Sequence, residues 1–455
     1  MEAEQFVKDM VAKARAAQEV FEGATQQQVD ELVRACAKAI FDNAETLARM
    51  AVDETRMGVY EDKVKKNMGK ARVIWNELKG KKSVGIIREL PQEGLVEVAK
   101  PMGVVGAVTP TTNPIVTPMC NAMFAIKGRN AIIICPHPRS KKCSYEAVRL
   151  MNEAIAKTGA PENLIQCVQE PTVEVSGQVM KQCDVCISTG GMGMVKAAYS
   201  SGRPAFGVGA GNVQCLIDED VDLEKVVPMI IEGRRFDNGI ICSGEQTAIM
   251  PKAIFKKAME IFEKNAAYYV HKPDEVARLR DTIFPGGITD KNIVGQDAAF
   301  VAKKACIDVP EGTKVLIVKA DGCGKDDLFS REKMCPVIAT YDNLEDWEAC
   351  VETAYNNLCV EGKGHSVCIH SNDTTHIEKA ALRLPVSRFL INQICSTNNG
   401  GSFFNGLSAT TTLGCGSWGN NSISENLSWK HLFNVSRIAY IKPGSRMLTD
   451  DEIWG

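Results

Sequence analysis

The sequence predicts an α/β protein, with two α/β domains containing parallel strands and a small β arm. Short apolar runs alternate with helical segments from residue 101 to 235 and again from 251 to about 418, a pattern typical of parallel strands joined by helices. The 455 residues are too many for one ordinary core. With 45% hydrophobic and 24% charged residues, the composition is that of an ordinary globular protein.

The composition also excludes classes of partner. The formal net charge of −3 argues against nucleic acid, whose binding requires a basic excess. No apolar run is long enough to span a membrane, and the first ten residues lack the basic and apolar regions of a signal peptide. We therefore expect a cytoplasmic protein whose partners include neither nucleic acid nor a membrane.

The two ends of the chain carry elements outside the alternating pattern. Residues 3–80 are predicted to be helical, and Thr25 and Gln28 have the spacing of a capping box. Residues 84–98 have the pattern of a β-hairpin, and residues 435–441 that of a strand. We expect the hairpin and this strand to form an oligomerisation arm by pairing across subunits.

The apolar runs assign strands to the two domains. Five runs predict the first sheet, namely 104–108, 131–135, 164–168, 185–188 and 213–217. Three more predict strands of the second, namely 315–318, 337–340 and 366–370. We expect a Rossmann-like domain over residues 1–232, a second α/β domain over 233–418, and a return segment with the terminal strand over 419–455.

A glycine-rich turn follows the fourth apolar run. Thr189, Gly190 and Gly191 open the segment TGGMGMV, where a strand is expected to pass into a helix. Such a turn lets the pyrophosphate of a dinucleotide approach backbone N–H groups at a helix N-terminus. Because the spacing is not that of GxGxxG, a plain strand-to-helix turn remains the alternative.

Cys242 is the candidate nucleophile. It lies between Gly239 and Gly244 in the segment FDNGIICSGEQ. Glycines bring backbone N–H groups close to a ligand, so a thiol between them can face a cleft while those groups point at a developing oxyanion. The alternative is a buried cysteine in a glycine-containing turn.

The other cysteines are interpreted as reduced core residues. Seventeen cysteines are scattered through apolar segments, whereas disulfide frameworks belong to small secreted domains. Cys183 and Cys186 form a CxxC pair without a second pair to complete a zinc site, and the chain has only six histidines. A zinc or redox site is the alternative to two strand residues there, and we expect no metal.

Several segments together resemble the aldehyde dehydrogenase superfamily, specifically its CoA-acylating branch. The segments are Thr109–Pro114, Pro136–Lys142, Phe236–Gln246, Glu332–Val337 and Leu413–Asn426. The resemblance covers essentially the whole chain. Within the branch, residues 56–72 are most similar to the enzymes that act on succinate semialdehyde. The resemblance implies an aldehyde dehydrogenase-like fold in which the second domain is catalytic, and it implies a homodimer or homotetramer.

The resemblance also implies a mechanism. The thiolate of Cys242 attacks an aldehyde, the Asn113 amide and the Cys242 backbone N–H hold the oxyanion, and NAD or NADP accepts the hydride. The stretch Gly207–Asn212 stands where hydrolytic relatives carry a glutamate base, but it contains no carboxylate. Coenzyme A is therefore the expected acceptor of the acyl group, giving acyl-CoA. Asn113 alternatively caps a helix, and His365 either assists acyl transfer or makes a structural hydrogen bond.

A further set of residues is assigned to the cofactor from the resemblance and the glycine-rich turn. The set is Thr109, Pro110, Thr111, Thr112, His137, Pro138, Arg139, Ser140, Thr189, Gly190, Gly191, Gly209, Glu332 and Leu413. Glu332 either binds the nicotinamide ribose or is a surface carboxylate. Arg139, Lys141 and Lys142 either hold the 2′-phosphate of NADP or form a solvated basic face.

The aldehyde is predicted to be short and anionic. Arg234 and Arg235 precede the nucleophile segment, and either guanidinium suits a carboxylate or sulfonate, the alternative being a surface or interdomain position. Ile241, Ser243 and Ser396 are the other expected substrate contacts. Succinate semialdehyde is the first candidate, followed by sulfoacetaldehyde and acetaldehyde. The alternative classes are an acyl-phosphate reductase and a non-catalytic assembly protein.

Overall fold

The computed structural model describes residues 2–455. Within them the α-helices, numbered α1 to α16 in chain order, are Ala3–Phe21, Gln26–Asp42, Ala44–Thr55, Tyr60–Leu78, Val116–Lys127, Lys141–Ala156, Val173–Gln182, Met192–Tyr199, Leu223–Arg235, Lys252–Lys264, Pro273–Ile283, Ala298–Lys304, Trp347–Val360, Thr374–Arg383, Cys395–Asn398 and Asp450–Trp454. The strands, β1 to β15, are Gly85–Leu90, Leu95–Pro101, Val104–Thr109, Ala131–Pro136, Ile165–Cys167, Val185–Thr189, Ala205–Val208, Gln214–Ile217, Thr247–Ala248, Ala267–Val270, Val315–Lys319, Val337–Thr340, Gly364–His370, Val386–Ile391 and Phe433–Ala439.

Five parallel strands form the first sheet, in the order β5-β4-β3-β6-β7. Every residue of β3 and β4 is buried, as expected for central strands covered on both faces. The strand order reverses between β3 and β6, so the crevice at their carboxyl ends is the place where such sheets bind ligands. Four of the five predicted runs are strands of this sheet, whereas β7 escapes the sequence prediction.

The second sheet is also parallel and contains the fifth run. Its two parts, β10-β11-β12-β9 and β14-β13-β8, are joined by a bridge between Leu216 and Ile249. Because β8 pairs with β13, the prediction that residues 213–217 belong to the first sheet is wrong. The boundary predicted at residue 232 is therefore too late, since β8 and α9 contribute to the core of the second domain. A buried apolar run looks the same in either sheet, and only its long-range partner decides between them.

A small antiparallel sheet contains the predicted hairpin and terminal strand. β1 pairs with β2, and β15 pairs with the other edge of β2, from Phe433 opposite Pro101 to Ala439 opposite Leu95. All three strands belong to one chain, so the hairpin and the terminal strand form one sheet within it, and the pairing of this sheet across subunits stays a prediction. Subunit association itself stays a prediction.

The N-terminal region is helical as predicted. Thr25 Oγ1 accepts the Gln28 backbone N–H and Gln28 Oε1 accepts the Thr25 backbone N–H, which confirms the capping box at the start of α2. α4 packs against α2, α3 and α5, and it also reaches the second domain, where Lys63 pairs with Asp237. No helix within residues 2–455 combines the length and the apolar character that crossing a bilayer requires.

Candidate active site

A cavity of about 410 Å³ opens beside Cys242. Its wall is built from α4, from the loop after β3, from the turn that carries Cys242, and from the loops around residues 396–413. It therefore lies where residues of both domains meet. The cavity brings together Asn113 and Cys242, the two residues predicted to hold the oxyanion and to attack the aldehyde.

A sharply bent turn precedes Cys242. After α9 the chain passes through Asp237, Asn238 and Gly239 with φ values of 50°, 54° and 69°, all in the left-handed region. Gly239 is required in this turn, because a Cβ atom there would lie 2.8 Å from the carbonyl oxygen of Cys335. Cys242 follows three residues later, on the cavity wall.

The Cys242 thiol is protonated in this state of the protein. Burial, with the negative charges of Glu332 and Cys415, raises the pKa of Cys242 to about 12, against the opposing effect of Arg388. The thiolate is the nucleophilic form of cysteine. Attack on an aldehyde therefore requires that the thiol first lose its proton.

Asn113 faces the same cavity, and its side chain is held by Lys66. Lys66 Nζ donates to Asn113 Oδ1 over 2.8 Å and to Asp237 Oδ2 over 2.6 Å. Asp237 is fully buried and also accepts hydrogen bonds from Lys63 Nζ and from the Val59 backbone N–H. The side-chain oxygen of Asn113 thus contacts an ammonium group rather than capping α5, and the capping alternative is not observed.

Sequence analysis missed the cations of α4. Lys63, Lys66 and Lys70 lie on one face of this helix at spacings of three and four residues, and Lys66 and Lys70 line the cavity. That spacing is the signal by which they could have been found. Lys70 Nζ donates to the Gly400 carbonyl over 2.9 Å. Burial lowers the pKa of Lys70 to about 8, and the charge of Lys66 acts in the same direction.

The predicted dinucleotide site lies at the carboxyl ends of β3 and β6. Thr109 ends β3, Thr189 ends β6, and Gly190 and Gly191 lead into α8. The hydroxyl groups of Thr109 and Thr189 are buried and lack a hydrogen-bond partner in the described part of the chain. A Cβ atom at Gly191 would meet nothing within 4 Å, so there is room beside the helix N-terminus. Orphaned hydroxyl groups beside an open helix N-terminus fit a pyrophosphate group.

Eight more of the predicted cofactor residues lie at the same edge of the first sheet. They follow β3, β4 and β7 and are Pro110, Thr111, Thr112, His137, Pro138, Arg139, Ser140 and Gly209. Lys141 forms an ion pair with Glu170, which favours the solvated-face alternative for this lysine. Arg139 donates to the Thr55 carbonyl over a long 3.4 Å, so its guanidinium keeps donors for a phosphate.

Glu332 lies close to the nucleophile. Its Oε1 accepts the Gly211 backbone N–H over 3.3 Å, and Gly211 packs against the Cys242 carbonyl. Burial and the charge of Glu361 raise the pKa of Glu332 to about 8. The contact with Gly211 favours a position at the site over the alternative of a solvated surface carboxylate. Its assignment to the nicotinamide ribose stays a prediction.

Three of the predicted substrate residues line the cavity, namely Ile241, Ser243 and Ser396. Ser243 Oγ donates to the Ser396 carbonyl over 3.1 Å, which joins the nucleophile turn to α15. Leu413, predicted to contact the cofactor, lines this cavity as well.

The two arginines expected to bind the substrate anion lie elsewhere, which corrects that expectation. Arg234 is fully buried and donates to the Cys335 carbonyl. Arg235 forms an ion pair with Glu232 on the same helix. Both side chains leave α9 before the left-handed turn redirects the backbone towards the cavity. Arg234 and Arg235 are therefore close to Cys242 in the sequence but do not line the cavity.

His365 occupies a buried position in β13 beside Arg388. Arg388 donates to the His365 carbonyl over 2.8 Å and to the Gly414 carbonyl over 2.7 Å. Both imidazole nitrogens are buried without a hydrogen-bond partner among residues 2–455, so the alternative of a structural hydrogen bond is not observed. Burial and the charge of Arg388 lower the pKa of His365 to about 3, which keeps the ring neutral. Sequence analysis missed Arg388, an isolated arginine in an apolar strand.

One group of side chains in the described part of the chain could hold a metal ion, namely Cys215, Cys368 and His370. The group is fully buried between β8 and β13, where Cys368 Sγ already contacts His370 Nε2 over 3.5 Å. Cys186 is a buried residue of β6, and Cys183 is buried just before that strand, directly after α7. Burial in the core favours the structural alternative over a zinc or redox site for this pair, although only Cys186 is a strand residue.

Comparison of the chain with known proteins decides its family. The sequence model of the aldehyde dehydrogenase family matches residues 2–282. The chain belongs to the aldehyde dehydrogenase family. It is 51% identical to the succinate-semialdehyde dehydrogenase (acetylating) of Clostridium kluyveri over 457 residues, which cover all of both chains. It is 39% identical to the sulfoacetaldehyde dehydrogenase of an Acholeplasma species, over 98% of this chain and 93% of the relative.

The fold agrees with that of solved aldehyde dehydrogenases. An acetylating aldehyde dehydrogenase from Geobacillus thermoglucosidasius superimposes with a TM-score of 0.94 and 38% identity, over 99% of this chain and 98% of that chain. The predicted α/β fold, the aldehyde dehydrogenase family and its acylating branch are therefore confirmed, and the protein is an oxidoreductase.

Proposed function

We propose that this aldehyde dehydrogenase oxidises a short anionic aldehyde to its CoA thioester, with NAD or NADP as hydride acceptor. The observation that carries the proposal is one cavity that contains Cys242, Asn113 and the ammonium group of Lys70. These groups supply a nucleophile, an oxyanion donor and a cation for the far end of the substrate.

Cys242 carries out the first half of the reaction. Its thiolate adds to the aldehyde carbon, a C–S bond forms, and the carbonyl oxygen becomes an oxyanion. The Asn113 amide and the Cys242 backbone N–H are the proposed donors to this oxyanion. The cofactor, when bound, accepts the hydride that the carbon loses. An acyl thioester then remains on Cys242.

The second half transfers the acyl group to a thiol. The stretch Gly207–Asn212 passes directly beside Cys242 and contributes no carboxylate to activate water. The thiolate of CoA is a good nucleophile without such a base, and its attack on the thioester releases the Cys242 thiolate. The unpaired imidazole of His365 supports the proposal that it assists this step by contacting the thiol or the acyl group, since a neutral ring offers one N–H donor and one acceptor nitrogen.

Lys70 is the proposed partner of the substrate anion. Its ammonium group has three N–H donors, of which one contacts the Gly400 carbonyl. Two donors remain for a carboxylate or sulfonate. Succinate semialdehyde is the first candidate and sulfoacetaldehyde the second, and the curated relatives carry these substrates in their names. Acetaldehyde has no anionic group for Lys70 and ranks third.

The test is reduction of NAD or NADP with each of the three aldehydes, in the presence and absence of CoA. We expect an anionic aldehyde to be preferred, turnover to require CoA, and acyl-CoA to accumulate. Accumulation of free acid without CoA would contradict the acylating mechanism. Support of turnover by inorganic phosphate in place of CoA would instead identify an acyl-phosphate reductase.

We further propose that the protein is a cytoplasmic homodimer or homotetramer. The small antiparallel sheet supports association, because its outer strand β1 is an edge and isolated edges readily pair with another chain. Measurement of the mass at micromolar concentration tests this, and a monomeric mass would overturn it.

A further inference from the structure

The orientation of the Asn113 amide follows from the residue that faces it. A lysine ammonium group can donate hydrogen bonds but cannot accept them. The atom of Asn113 that lies 2.8 Å from Lys66 Nζ must therefore be the oxygen, as the structure has it. The amide nitrogen is then the free end of the side chain, on a residue that lines the cavity of Cys242. An N–H donor beside the nucleophile is what an oxyanion requires.

Lys66 itself has no donor left for the substrate. Its ammonium group contacts Asn113 Oδ1, Asp237 Oδ2 over 2.6 Å and the Thr112 carbonyl over 3.4 Å. Three donors thus meet three acceptors. Although Lys66 lines the cavity, all three of its N–H groups donate to acceptors of the protein. Lys70, one helical turn further along α4, differs because two of its donors remain free.

Asp237 fixes the position of Lys66. It lies in the left-handed turn that precedes Cys242 and is fully buried. The Val59 backbone N–H and Lys63 Nζ, at 2.9 Å and 3.1 Å, hold its carboxylate in place. The charges of Lys66 and Lys63 lower the pKa of Asp237, against the effect of its burial, so it is ionised. Asp237 therefore ties the backbone that presents the nucleophile to the ammonium group that orients Asn113.

We infer that Lys66 and Asp237 are positioning residues of the oxyanion site, with Lys66 orienting the Asn113 amide nitrogen towards the oxygen of the reacting aldehyde. The inference rests on the proposed role of Asn113. It differs from a substrate-binding role, because an oriented amide assists charged and uncharged aldehydes alike. Lys127 offers a matched control, since it is a buried lysine of α5 whose ammonium group pairs with the carboxylate of Asp30 and contacts none of these residues.

The experiment measures how fast NADH or NADPH forms during the first turnover, with succinate semialdehyde and with acetaldehyde. This rate is called the burst rate below. The variants are Lys66→Met, Lys127→Met, Asn113→Ala and the double variant Lys66→Met/Asn113→Ala, and the melting temperature is recorded for each. Loss of one oxyanion donor typically costs about 100-fold to 1,000-fold in rate. We expect Lys66→Met to slow the burst about 10-fold to 100-fold with both aldehydes. We expect Lys127→Met to lower the melting temperature with a burst rate within about 3-fold of the parent, because its ion pair lies outside the cavity.

The double variant separates positioning from other roles. If Lys66 acts through Asn113, Lys66→Met changes the burst rate less than about 3-fold once Asn113 is alanine, because coupled residues are non-additive. Additive losses, or a loss with succinate semialdehyde alone, would overturn the inference. A normal burst in Asn113→Ala would instead overturn the proposed role of Asn113 itself.

A second variant covers failure to fold. If Lys66→Met is unstable, Lys63→Met/Lys66→Met/Asp237→Asn removes the buried charges of this cluster together, so that no ion is left without its partner. The burst rate of this variant is then measured with and without the additional change Asn113→Ala. A burst rate equal to that of the parent in this variant would also overturn the inference.

Discussion

Gly211 packs on the carbonyl group of Cys242 so closely that a Cβ atom at position 211 would overlap the carbonyl oxygen. The backbone N–H of the same glycine donates to Glu332 Oε1 over 3.3 Å. Gly211 belongs to the stretch Gly207–Asn212, which contains no carboxylate. This stretch therefore packs against the backbone of Cys242 and also contacts Glu332, the carboxylate predicted to bind the cofactor.

Gly211→Ala is expected to displace Cys242. A methyl group at residue 211 has no room, so the nucleophile turn must shift, and a shift of about 1 Å can cost about 100-fold in rate. Single-turnover kinetics with succinate semialdehyde measure the loss. The control is Gly177→Ala in α7, where a Cβ meets nothing within 4 Å. That change should leave the rate unaltered and add about 0.5–1 kcal/mol to the free energy of unfolding. Equal activity of the two variants would contradict the packing argument.

Alkylation of Cys242 in the protein without cofactor is expected to accelerate steeply with pH. Since burial raises the pKa of this thiol to about 12, its thiolate fraction should rise about tenfold for each pH unit between pH 7 and 10. Iodoacetamide labelling followed by peptide mass spectrometry gives the rate at this residue. Cys242→Ser identifies the modified peptide by its loss. A rate that levels off below pH 8 would show that the thiol is already ionised there.

Lys70→Met is expected to weaken the binding of anionic aldehydes selectively. Hydrogen bonds to charged groups contribute about 1.5–3 kcal/mol, so KM for succinate semialdehyde should rise about 10-fold to 100-fold. KM for acetaldehyde should change less than about 3-fold, because it offers Lys70 no charge. Steady-state kinetics measure KM for both aldehydes. An equal rise in KM for the two would contradict the proposal that Lys70 binds the substrate anion.

The pKa of Lys70 predicts that KM for anionic aldehydes depends on pH. Burial lowers the pKa of Lys70 to about 8, so the ammonium group is charged below that value and loses its proton as the pH rises through it. In the parent enzyme, KM for succinate semialdehyde should therefore rise between pH 7 and 9. The profile of Lys70→Met should lack this rise. A persistent rise in the variant would assign the titration to another group.

Arg388→Met is expected to destabilise the second domain. The change leaves the carbonyls of His365 and Gly414 without their donor, and a buried unsatisfied group costs about 1–3 kcal/mol. We expect the free energy of unfolding in urea to fall by about 2–5 kcal/mol. Arg383, which pairs with Glu352 on the surface, is the control, and Arg383→Met should cost less than about 1 kcal/mol. Similar losses for the two variants would contradict the structural role of Arg388.

Much of the fold could be predicted from local patterns. The capping box at Thr25 and the hairpin at residues 84–98 depend on residues close in sequence, and both are observed. The placement of residues 213–217 in the wrong sheet depends on a partner about 150 residues away in β13, which periodicity does not report. Periodicity likewise does not report that the terminal strand pairs with β2, which lies far from it in the sequence.

The candidate site could likewise be predicted from the sequence only in part. Segments such as Thr109–Pro114 and Phe236–Gln246 carry the chemistry in short motifs, so Asn113 and Cys242 could be named from the chain alone. Lys66 and Lys70 lie in a helix more than 170 residues from Cys242, and their role depends on how α4 packs against the second domain. Arg234 lies eight residues from Cys242 and yet outside the cavity.

The sequence by itself determined the family, the candidate nucleophile and the absence of a carboxylate from the stretch beside it, because reactive groups are residue types at short and recognisable spacings. Only the tertiary structure decided which cations line the cavity, which residue contacts the side-chain oxygen of Asn113, and which groups surround Cys242. Those properties depend on distance and burial, which are produced when α4, the nucleophile turn and β13 pack together from distant parts of the chain.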